Sequence, residues 1–531
     1  MPSAATITGV AAEAARRRTF AVISHPDAGK STITEALALH AQVIGEAGAV
    51  HGKAGRKGVV SDWMAMEQQR GISITSAVLQ FAYRDLVVNL LDTPGHADFS
   101  EDTYRVLTAV DCAVMLLDAA KGLEPQTLKL FEVCRARRIP VITFINKWDR
   151  PGREPLALLD EIEQRIKLRP TPVTWPVGIA GQFHGIVDRR TGQMTAFRRT
   201  PGGATAAIEE QLGPEQAARQ YGPDWRRTVE ELDLLSLTGA DHDQAAFAAA
   251  TSTPVLFGAA VANFGVRQLL DVLAAHAPAP GPRPDVAGTP RPVDAPFAGF
   301  VFKIQANMNK AHRDQLAFIR VCSGRFTRGM TVTHAATGRS FATKYAQQMF
   351  GANRETIDEA YPGDVIGLVN ATALGIGDTL HDGPAVTFPP LPSFVPEHFA
   401  VLRAADSSTF KRFRRGVEQL DAEGVVQVLR SDRRGEQAPV LAAVGPMQFE
   451  VAVARLDAEF GVTTRLEHLP YQVARRTDPA SEERLRAVPD AEVLTRVRDG
   501  ALLALFTSGW RMRSIGDSRP GLALDPLPAA G

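Results

Sequence analysis

Short, nearly continuous apolar runs recur along the first half of the chain and alternate with segments of helical periodicity. The runs lie at residues 19–23, 86–91, 141–145 and 254–257. Continuous apolar runs of this length are typical of strands covered on both faces, and their alternation with helices is typical of a parallel sheet. The pattern from residue 15 to 276 therefore predicts an α/β domain with crossover helices.

Two interruptions subdivide this part of the chain. Residues from about 155 to 250 are predicted to be an insertion before the last strand, with a hairpin around 188–192 and a helix over 225–237. Prolines are frequent from 278 to 296, which indicates a stiff linker. The first domain is therefore predicted to span residues 1–277.

The second half of the chain shows two further patterns. Strand-like pieces separated by glycine turns over residues 297–388 predict a small β-barrel. Over residues 395–475, two segments with apolar residues at helical spacing alternate with strands, which predicts an α+β domain of the split βαβ type. We assign no role to residues 476–531, and we expect their end, from Gly516 onward, to be disordered.

Composition and charge change this picture only by exclusion. A chain of 531 residues is too long for a single core, which agrees with several domains. Lysine plus arginine and aspartate plus glutamate both number 59, so any contact with RNA would need a local patch. The 3 cysteines are too scattered for a disulfide framework or a metal site. Because no apolar segment suits a signal peptide or a membrane span, the protein is predicted to be cytoplasmic.

The strongest chemical signal is the segment between the first apolar run and the helical pattern after it. The segment consists of Ser24, His25, Pro26, Asp27, Ala28, Gly29, Lys30 and Ser31. A strand, a loop and a helix in this order are the context of a P-loop, whose backbone N–H groups surround a β-phosphate. Lys30 is predicted to reach the β- and γ-phosphates, and the Ser31 hydroxyl to bind Mg²⁺. Ser24 replaces the usual glycine, so an ordinary turn is the alternative for this segment taken alone.

A second segment follows the apolar run at 86–91. It consists of Asp92, Thr93, Pro94, Gly95 and His96. Since α/β sheets place ligands at the carboxyl ends of strands, Asp92 is predicted to hold Mg²⁺ through water, and the Gly95 N–H to sense a γ-phosphate. His96 is the candidate catalytic residue, because a histidine beside the γ-phosphate can orient the attacking water. A lone histidine would more often be a hydrogen-bonded surface residue.

A third segment follows the run at 141–145. It consists of Asn146, Lys147, Trp148 and Asp149. The Asp149 carboxylate is predicted to accept two hydrogen bonds that guanine offers and adenine does not, which favours GTP over ATP. Lys147 is predicted to lie against the base and Asn146 to brace the loops. A weaker signal follows the run at 254–257, where the backbone N–H groups of three residues are predicted to contact the guanine carbonyl: Gly258, Ala259 and Ala260.

A fourth segment lies between the first two. Residues 52–70 are rich in glycine and charge, and they are predicted to be mobile. Ser73 follows them and is predicted to bind Mg²⁺ only while a γ-phosphate is present, so that hydrolysis releases the loop. The four ordered segments together predict a magnesium-dependent GTP hydrolase. An ATP-using P-loop transferase and a nucleotide-binding regulator without turnover are the rivals, which Asp149 and His96 respectively oppose.

These segments also carry a resemblance to a known family. Ser-His-Pro-Asp-Ala-Gly-Lys, Gln-Arg-Gly-Ile-Ser-Ile-Thr, Asp-Thr-Pro-Gly-His-Ala-Asp-Phe and Gly-Leu-Glu-Pro-Gln-Thr resemble the translational GTPases related to elongation factor G. The Ser-His-Pro form of the loop, with residues 302–308 and 447–451, most closely resembles the family of bacterial peptide chain release factor three. The similarity covers about residues 15–475. This chain departs from that family at Ser73, where threonine is common, and at Ala259, where serine is common.

The resemblance implies more than the GTP site. A P-loop GTPase domain is expected to be followed by a β-barrel domain and an α+β split βαβ domain. The protein is expected to act on the ribosome in termination and to promote dissociation of class I peptide release factors after peptide release. Expected partners are the ribosome, with its rRNA and proteins, and class I release factors; the expected cofactor is Mg²⁺ with bound GTP or GDP. We expect a monomer that binds neither DNA nor membranes. A protection factor or a translocase is the alternative, which the lack of room for further C-terminal domains opposes.

Overall fold

The computed structural model describes most of the chain. The described residues are 4–41, 76–198, 207–306, 315–350, 353–369, 371–391, 394–431 and 434–527. Their α-helices are α1 Ala4–Ala15, α2 Lys30–His40, α3 Ser100–Thr108, α4 Pro125–Ala136, α5 Pro155–Ile166, α6 Pro214–Leu237, α7 Gln244–Ala248, α8 Val266–His276, α9 Phe410–Ala422, α10 Met447–Phe460, α11 Pro479–Leu485 and α12 Gly509–Ser518. Short 3-10 turns span Ala97–Phe99, Ala260–Ala262 and Ser407–Thr409.

The strands fall into three groups along the chain. Those of the first unit are β1 Arg17–Ser24, β2 Ala77–Tyr83, β3 Leu86–Asp92, β4 Cys112–Asp118, β5 Val141–Asn146, β6 Arg169–Pro172, β7 Thr174–Val177, β8 Gly185–Asp188, β9 Met194–Arg198, β10 Ile208–Leu212 and β11 Ser252–Phe257. Those of the linker and the second unit are β12 Arg283–Pro284, β13 Pro290–Arg291, β14 Ala298–Ala306, β15 Gln315–Ser323, β16 Phe326–Thr327, β17 Thr331–His334, β18 Ser340–Ala342, β19 Ala346–Phe350, β20 Asn353–Thr356, β21 Glu359–Ala360, β22 Val365–Val369 and β23 Thr379–His381. Those of the third unit are β24 His398–Ala404, β25 Gln427–Arg430, β26 Val440–Ala443, β27 Thr464–His468, β28 Val473–Thr477, β29 Ala491–Arg496 and β30 Leu502–Phe506.

The main sheet of the first unit has the strand order β2-β3-β1-β4-β5-β11-β6. All neighbours in it are parallel except β2, which runs antiparallel to β3 at one edge. Alternate residues of β1 enter different cores, Phe20 and Val22 on one face and Ala21 and Ile23 on the other. The sheet is therefore covered on both faces, and the α/β pattern predicted from the apolar runs is confirmed.

The insertion begins later than predicted. Helix α5 lies inside the predicted range, but its Leu158 and Ile162 join the same core as Met115 of β4. Strand β6 pairs with β11 of the main sheet. A separate sheet of order β10-β9-β8-β7 follows, and β8 and β9 form the predicted hairpin. The periodicity of α5 shows that one helix face is buried, but it does not show which sheet buries it.

The second unit contains the strands predicted for the barrel, and they pair antiparallel. Its strand order is β18-β17-β23-β14-β15-β22-β19, around one apolar core. Strand β19 also pairs with β2 of the first unit, so the two sheets are continuous. At this junction the buried Asp364 carboxylate accepts hydrogen bonds from Arg17 at 3.2 Å, Gln80 at 2.9 Å and Asn89 at 3.3 Å. These contacts fix the second unit against the first.

The third unit has the predicted split βαβ arrangement and extends beyond it. Strands β27-β24-β26-β25 form an antiparallel sheet, and α9 and α10 pack into the core on one of its faces. Strands β29, β30 and β28 continue the same sheet, so the boundary predicted at 475 falls inside β28. The expected disorder from Gly516 is wrong for residues 516–527, because Asp525 bridges to Arg476 and Leu527 is buried. Residues 528–531 lie outside the described residues.

Within the ranges that the structure describes, none of the helices combines the length and the apolar character that a membrane span would need.

Candidate functional site

The predicted phosphate loop lies between β1 and α2, at the edge where the parallel strands of the main sheet end. Gly29 has a left-handed backbone with a φ of 97°, and a Cβ there would lie 2.5 Å from Nδ2 of Asn146. Glycine is therefore required for both conformation and space. Lys30, the first residue of α2, is only 8% exposed. A cation at a helix N-terminus beside a tight backbone loop is an arrangement that binds phosphate.

The first two positions of the loop explain why serine can replace glycine there. Ser24 is the last residue of β1 and is buried, and its Oγ donates to the His25 carbonyl at 2.9 Å. Extended backbone does not need glycine. The buried His25 side chain contacts Glu124 at the start of α4. Burial lowers the pKa of His25, and the Glu124 carboxylate opposes this only in part, so the imidazole is neutral near pH 7.

Asn146 joins the phosphate loop to the loop after β11. Its Nδ2 donates to the Ala28 carbonyl at 2.8 Å, and its Oδ1 accepts from the Ala260 N–H at 2.9 Å. The side chain is buried, so both bonds are sheltered from water. One amide therefore braces two loops, which is the contact predicted for this residue.

The ammonium group of Lys147 is held in place by two partners. It lies 2.9 Å from Oδ2 of Asp118, and it donates to the Asp27 carbonyl. Burial raises the pKa of Asp118, but hydrogen bonds from Lys147 and from the Ala120 N–H outweigh this, so the pKa is lowered overall. The sequence reasoning missed Asp118. Its signal was available, since it is an aspartate at the carboxyl end of a buried strand, as Asp92 is.

Trp148 anchors the segment that carries the candidate base-reading carboxylate. Its ring is fully buried and meets Phe257 edge-on, with ring centroids 4.9 Å apart. The backbone N–H of Trp148 donates to the Gly258 carbonyl at 3.0 Å, and the Trp148 carbonyl accepts from the Gly181 N–H at 2.9 Å. The next residue, Asp149, is partly exposed at the rim of the site. The buried indole therefore fixes the backbone from which the Asp149 side chain extends.

The backbone N–H groups of the loop after β11 are hydrogen-bonded within the protein. The N–H of Gly258 donates to Ile145 at 3.0 Å, that of Ala259 to Phe264 at 3.0 Å, and that of Ala260 to Asn146 at 2.9 Å. Each of these N–H groups already has an acceptor within the protein, so the three hydrogen bonds hold the loop in place. The predicted contact with the guanine carbonyl would require one of these bonds to be exchanged.

The segment after β3 lies directly against the phosphate loop. The β3 register places Asp92 opposite Val22, two residues before the end of β1. The Asp92 carboxylate is buried and accepts from the Thr93 N–H at 3.1 Å. A Cβ on Gly95 would lie 3.1 Å from Nζ of Lys30, so the Gly95 backbone lies close to the ammonium group. The structure thus brings the candidate γ-phosphate sensor next to the candidate phosphate ligand.

The ring of His96 contacts two residues that in turn meet the third unit, Asp98 and Phe99. Its Nδ1 lies 3.3 Å from the backbone nitrogen of Asp98 and 3.3 Å from Oδ1 of the same residue, and when Nδ1 carries the ring proton it donates to that carboxylate. The Phe99 ring meets it edge-on, with centroids 6.2 Å apart. Oδ2 of Asp98 accepts from the Met447 N–H, in the third unit, at 2.8 Å. Sequence reasoning gave Asp98 no role, although it belongs to the segment that carries the family resemblance.

Two of the three predicted metal ligands, Ser31 and Asp92, lie within the described residues. Ser31 follows Lys30 in α2, and Asp92 ends the neighbouring strand β3. Ser73 and the whole of 42–75 lie outside the described residues. No group of three or more His, Cys, Asp or Glu side chains in the described part could hold a metal alone. A hydroxyl and a carboxylate nevertheless fit Mg²⁺, which takes few protein ligands and completes its coordination with phosphate oxygens and water.

Comparisons with known proteins cover almost the whole chain. Family models match at residues 15–279 (Elongation factor Tu GTP binding domain), 296–383 (Elongation factor G domain 2) and 388–516 (Class II release factor RF3, C-terminal domain). The chain is 48% identical over 515 residues to peptide chain release factor 3 of Trichodesmium erythraeum, covering 96% of this chain and 95% of that one. It is 50% identical over 514 residues to the protein of the same name in Synechococcus elongatus, covering 96% and 92%. A crystal structure of a protein from Thermus thermophilus has a similar fold, with a TM-score of 0.69 at 22% identity over 87% of this chain and 69% of that one.

Proposed function

Since this chain belongs to the peptide chain release factor 3 family of translational GTPases, which act in termination, we propose that it hydrolyses GTP to GDP and phosphate on the ribosome. Hydrolysis promotes dissociation of class I peptide release factors after peptide release. The partners are the ribosome and those factors, and the reaction takes place in the cytoplasm. The observation that carries the proposal is the match of residues 388–516 to a class II release factor domain, joined to a candidate GTP site. That match favours termination over the protection or translocase alternative.

The phosphate-binding role belongs to residues 24–31. The conformation of Gly29 and the position of Lys30 at the start of α2 support this role. Lys30 offsets the negative charge of the β- and γ-phosphates, and the Gly95 N–H donates to the γ-phosphate. The nearness of Gly95 to Nζ of Lys30 supports their action on the same phosphate.

The guanine-binding role belongs to the residues after β5. Asp149 accepts from the base, Lys147 lies along its face, and Asn146 keeps the base loop and the phosphate loop in register. The hydrogen bonds of Asn146 and the contact between Lys147 and Asp118 support this assignment. A carboxylate that must be satisfied by two donors selects guanine, because adenine would leave it unpaired.

Ser31, Asp92 and Ser73 would hold Mg²⁺. When bound, the metal neutralises charge on the β- and γ-phosphate oxygens. His96 orients the water that attacks the γ-phosphate, and it does so only after it turns away from Asp98. Hydrolysis in the free protein is therefore slow, and contact with the ribosome accelerates it.

The proposed function is tested by single-turnover GTP hydrolysis under three conditions. The protein is measured alone, with vacant ribosomes, and with ribosomes that carry a class I release factor after peptide release. We expect the fastest hydrolysis in the third condition, together with dissociation of the class I factor. Equal rates in all three conditions would contradict the proposal, and stimulation only by ribosomes that hold peptidyl-tRNA would favour a translocase.

Replacing Asp149 by asparagine is expected to move base preference from guanosine toward xanthosine nucleotides. The amide offers one donor where two acceptors were needed, so GTP affinity falls by about tenfold or more. Competition binding with GTP and xanthosine triphosphate measures the shift. The exposed Asp160→Asn in α5 is the matched control. Unchanged preference in the Asp149 variant would remove this residue from the base site.

Replacing Asn146 by alanine is expected to weaken GDP and GTP binding alike, by about tenfold. The Ala28 carbonyl and the Ala260 N–H would lose their buried partner, and each loss costs about 1–3 kcal/mol. Equilibrium binding of both nucleotides measures the effect. Gln211→Ala, which removes a hydrogen bond to Thr195 in the insertion, serves as the control. Loss of GTP affinity alone would contradict a bracing role.

A further inference from the structure

The short turn Ala97–Phe99, directly after His96, is also a contact surface for the third unit. Oδ2 of Asp98 accepts from the backbone N–H of Met447, the first residue of α10, at 2.8 Å. The neighbouring Phe99 packs against Val451 of the same helix in a small buried cluster. A carboxylate is stabilised at a helix N-terminus, because the aligned peptide dipoles leave positive charge there. The third unit therefore holds this turn by a hydrogen bond and helix-dipole attraction to the Asp98 carboxylate, and by apolar packing on Phe99.

The third unit has a slot shaped for this carboxylate. A Cβ on Gly445 would lie 2.1 Å from Cγ of Asp98, and 2.3 and 2.4 Å from its two oxygens. Gly445 does not have a positive φ, so its backbone would accept alanine. Glycine at this position is therefore required for space and not for conformation. The closeness of Asp98 is the reason for that requirement.

A buried glutamine holds the slot in shape. Oε1 of Gln448 accepts from the Val444 N–H at 2.8 Å and from the Gly445 N–H at 3.2 Å. Its Nε2 donates to the Val425 carbonyl at 2.8 Å. The turn before α10 is thus fixed within the third unit itself. Because this turn is already fixed, it needs little rearrangement when Asp98 docks. The contact therefore forms only when the carboxylate is in the right position.

We propose that Asp98 is a positioning residue that holds His96 in a resting orientation while the third unit is docked. This inference rests on the proposed role of His96 in orienting water. One carboxylate oxygen faces the His96 ring, and the other accepts from Met447, so the ring and α10 share one anion. Among the described residues, the ring contacts come from Asp98 and Phe99, and both of these residues also contact α10. Movement of that unit would release Asp98 and allow His96 to turn toward the nucleotide.

The test is a substitution in the third unit that displaces Asp98 without altering the first unit. Gly445→Ala places a methyl group where the carboxylate lies. We expect GTP hydrolysis without ribosomes to rise by about fivefold or more, the lower end of typical coupling between sites. GDP and GTP affinities should stay within about twofold, because no nucleotide contact changes. Gly516→Ala in α12 is the matched control, since its Cβ would have nothing closer than Leu524 at 3.8 Å.

A second variant and a double substitution separate the possible outcomes. Asp98→Ala removes the shared carboxylate directly and should raise the ribosome-free rate of hydrolysis as Gly445→Ala does. This variant therefore tests the inference even if Gly445→Ala folds poorly. In a His96→Ala background, Gly445→Ala should have no effect on hydrolysis. The inference is overturned if neither variant raises the rate, or if the increase persists without His96. Full ribosome-stimulated activity of His96→Ala would instead contradict the proposed function, because another residue would then orient the water.

Discussion

Replacing Lys30 by alanine is expected to abolish tight GTP binding. Lys30 as a whole is only 8% exposed, and its ammonium group lies beside the Gly95 backbone, so we expect little water to take over its charge. A unit charge about 4 Å from a phosphate oxygen contributes about 4 kcal/mol at an effective dielectric constant of about 20, which corresponds to about 10³-fold in affinity. Equilibrium binding of labelled GTP measures the loss.

The control for this substitution is a lysine at the same edge of the sheet that points into solvent. The Lys121 side chain is 48% exposed and lies 3.8 Å from the Glu124 carboxylate. Lys121→Ala should leave GTP affinity unchanged, because surface ion pairs contribute little. Wild-type affinity in the Lys30 variant would mean that residues 24–31 form an ordinary turn.

The parts of the fold around the candidate site that were predicted correctly depend on local sequence. The strand-loop-helix unit that contains Gly29 is visible in a few neighbouring residues. The apolar runs that became β3 and β5 placed Asp92 and Asn146 at strand ends. Since parallel strands end at one edge, these predictions needed only the order of elements and no knowledge of side-chain contacts.

The parts that could not be predicted depend on contacts between distant residues. The partner of Lys147 is Asp118, from another strand, and no spacing rule connects the two. The N–H groups of Gly258 and Ala260 donate to acceptors at the end of β5, and this pairing depends on how β5 and β11 lie side by side in the fold. Likewise, the strands after residue 477 join a sheet that begins with β24, so their role follows from pairing and not from their own pattern.

The contact between the first and third units is the clearest example of this limit. Met447–Val451 marked a family resemblance in the sequence, but its physical meaning was hidden. In the structure Met447 donates to Asp98, Gln448 shapes the slot, and Val451 packs against Phe99. The same segment therefore holds the third unit against the first, and it contacts Asp98 and Phe99, which are the neighbours of the candidate catalytic histidine.

Replacing His96 by alanine is expected to lower ribosome-stimulated hydrolysis by about 10² or more, the contribution of one positioned group that handles protons. Nucleotide binding should stay nearly unchanged, because the ring contacts Asp98 and Phe99 and would meet the attacking water, not the phosphate. Single-turnover hydrolysis with saturating ribosomes, paired with GDP and GTP affinities, separates the two effects.

The ribosome-free rate should fall much less than the stimulated rate in the same variant. In the resting structure the His96 ring lies against Asp98, which is itself hydrogen-bonded to the third unit, so we expect the free protein to gain little from the ring. His96→Gln is the conservative control, since a glutamine can also orient water and should retain more stimulated activity than alanine. Equal losses of binding and turnover in the alanine variant would make His96 structural. Equal falls of the free and stimulated rates would mean that the ring already acts on the nucleotide before the ribosome binds.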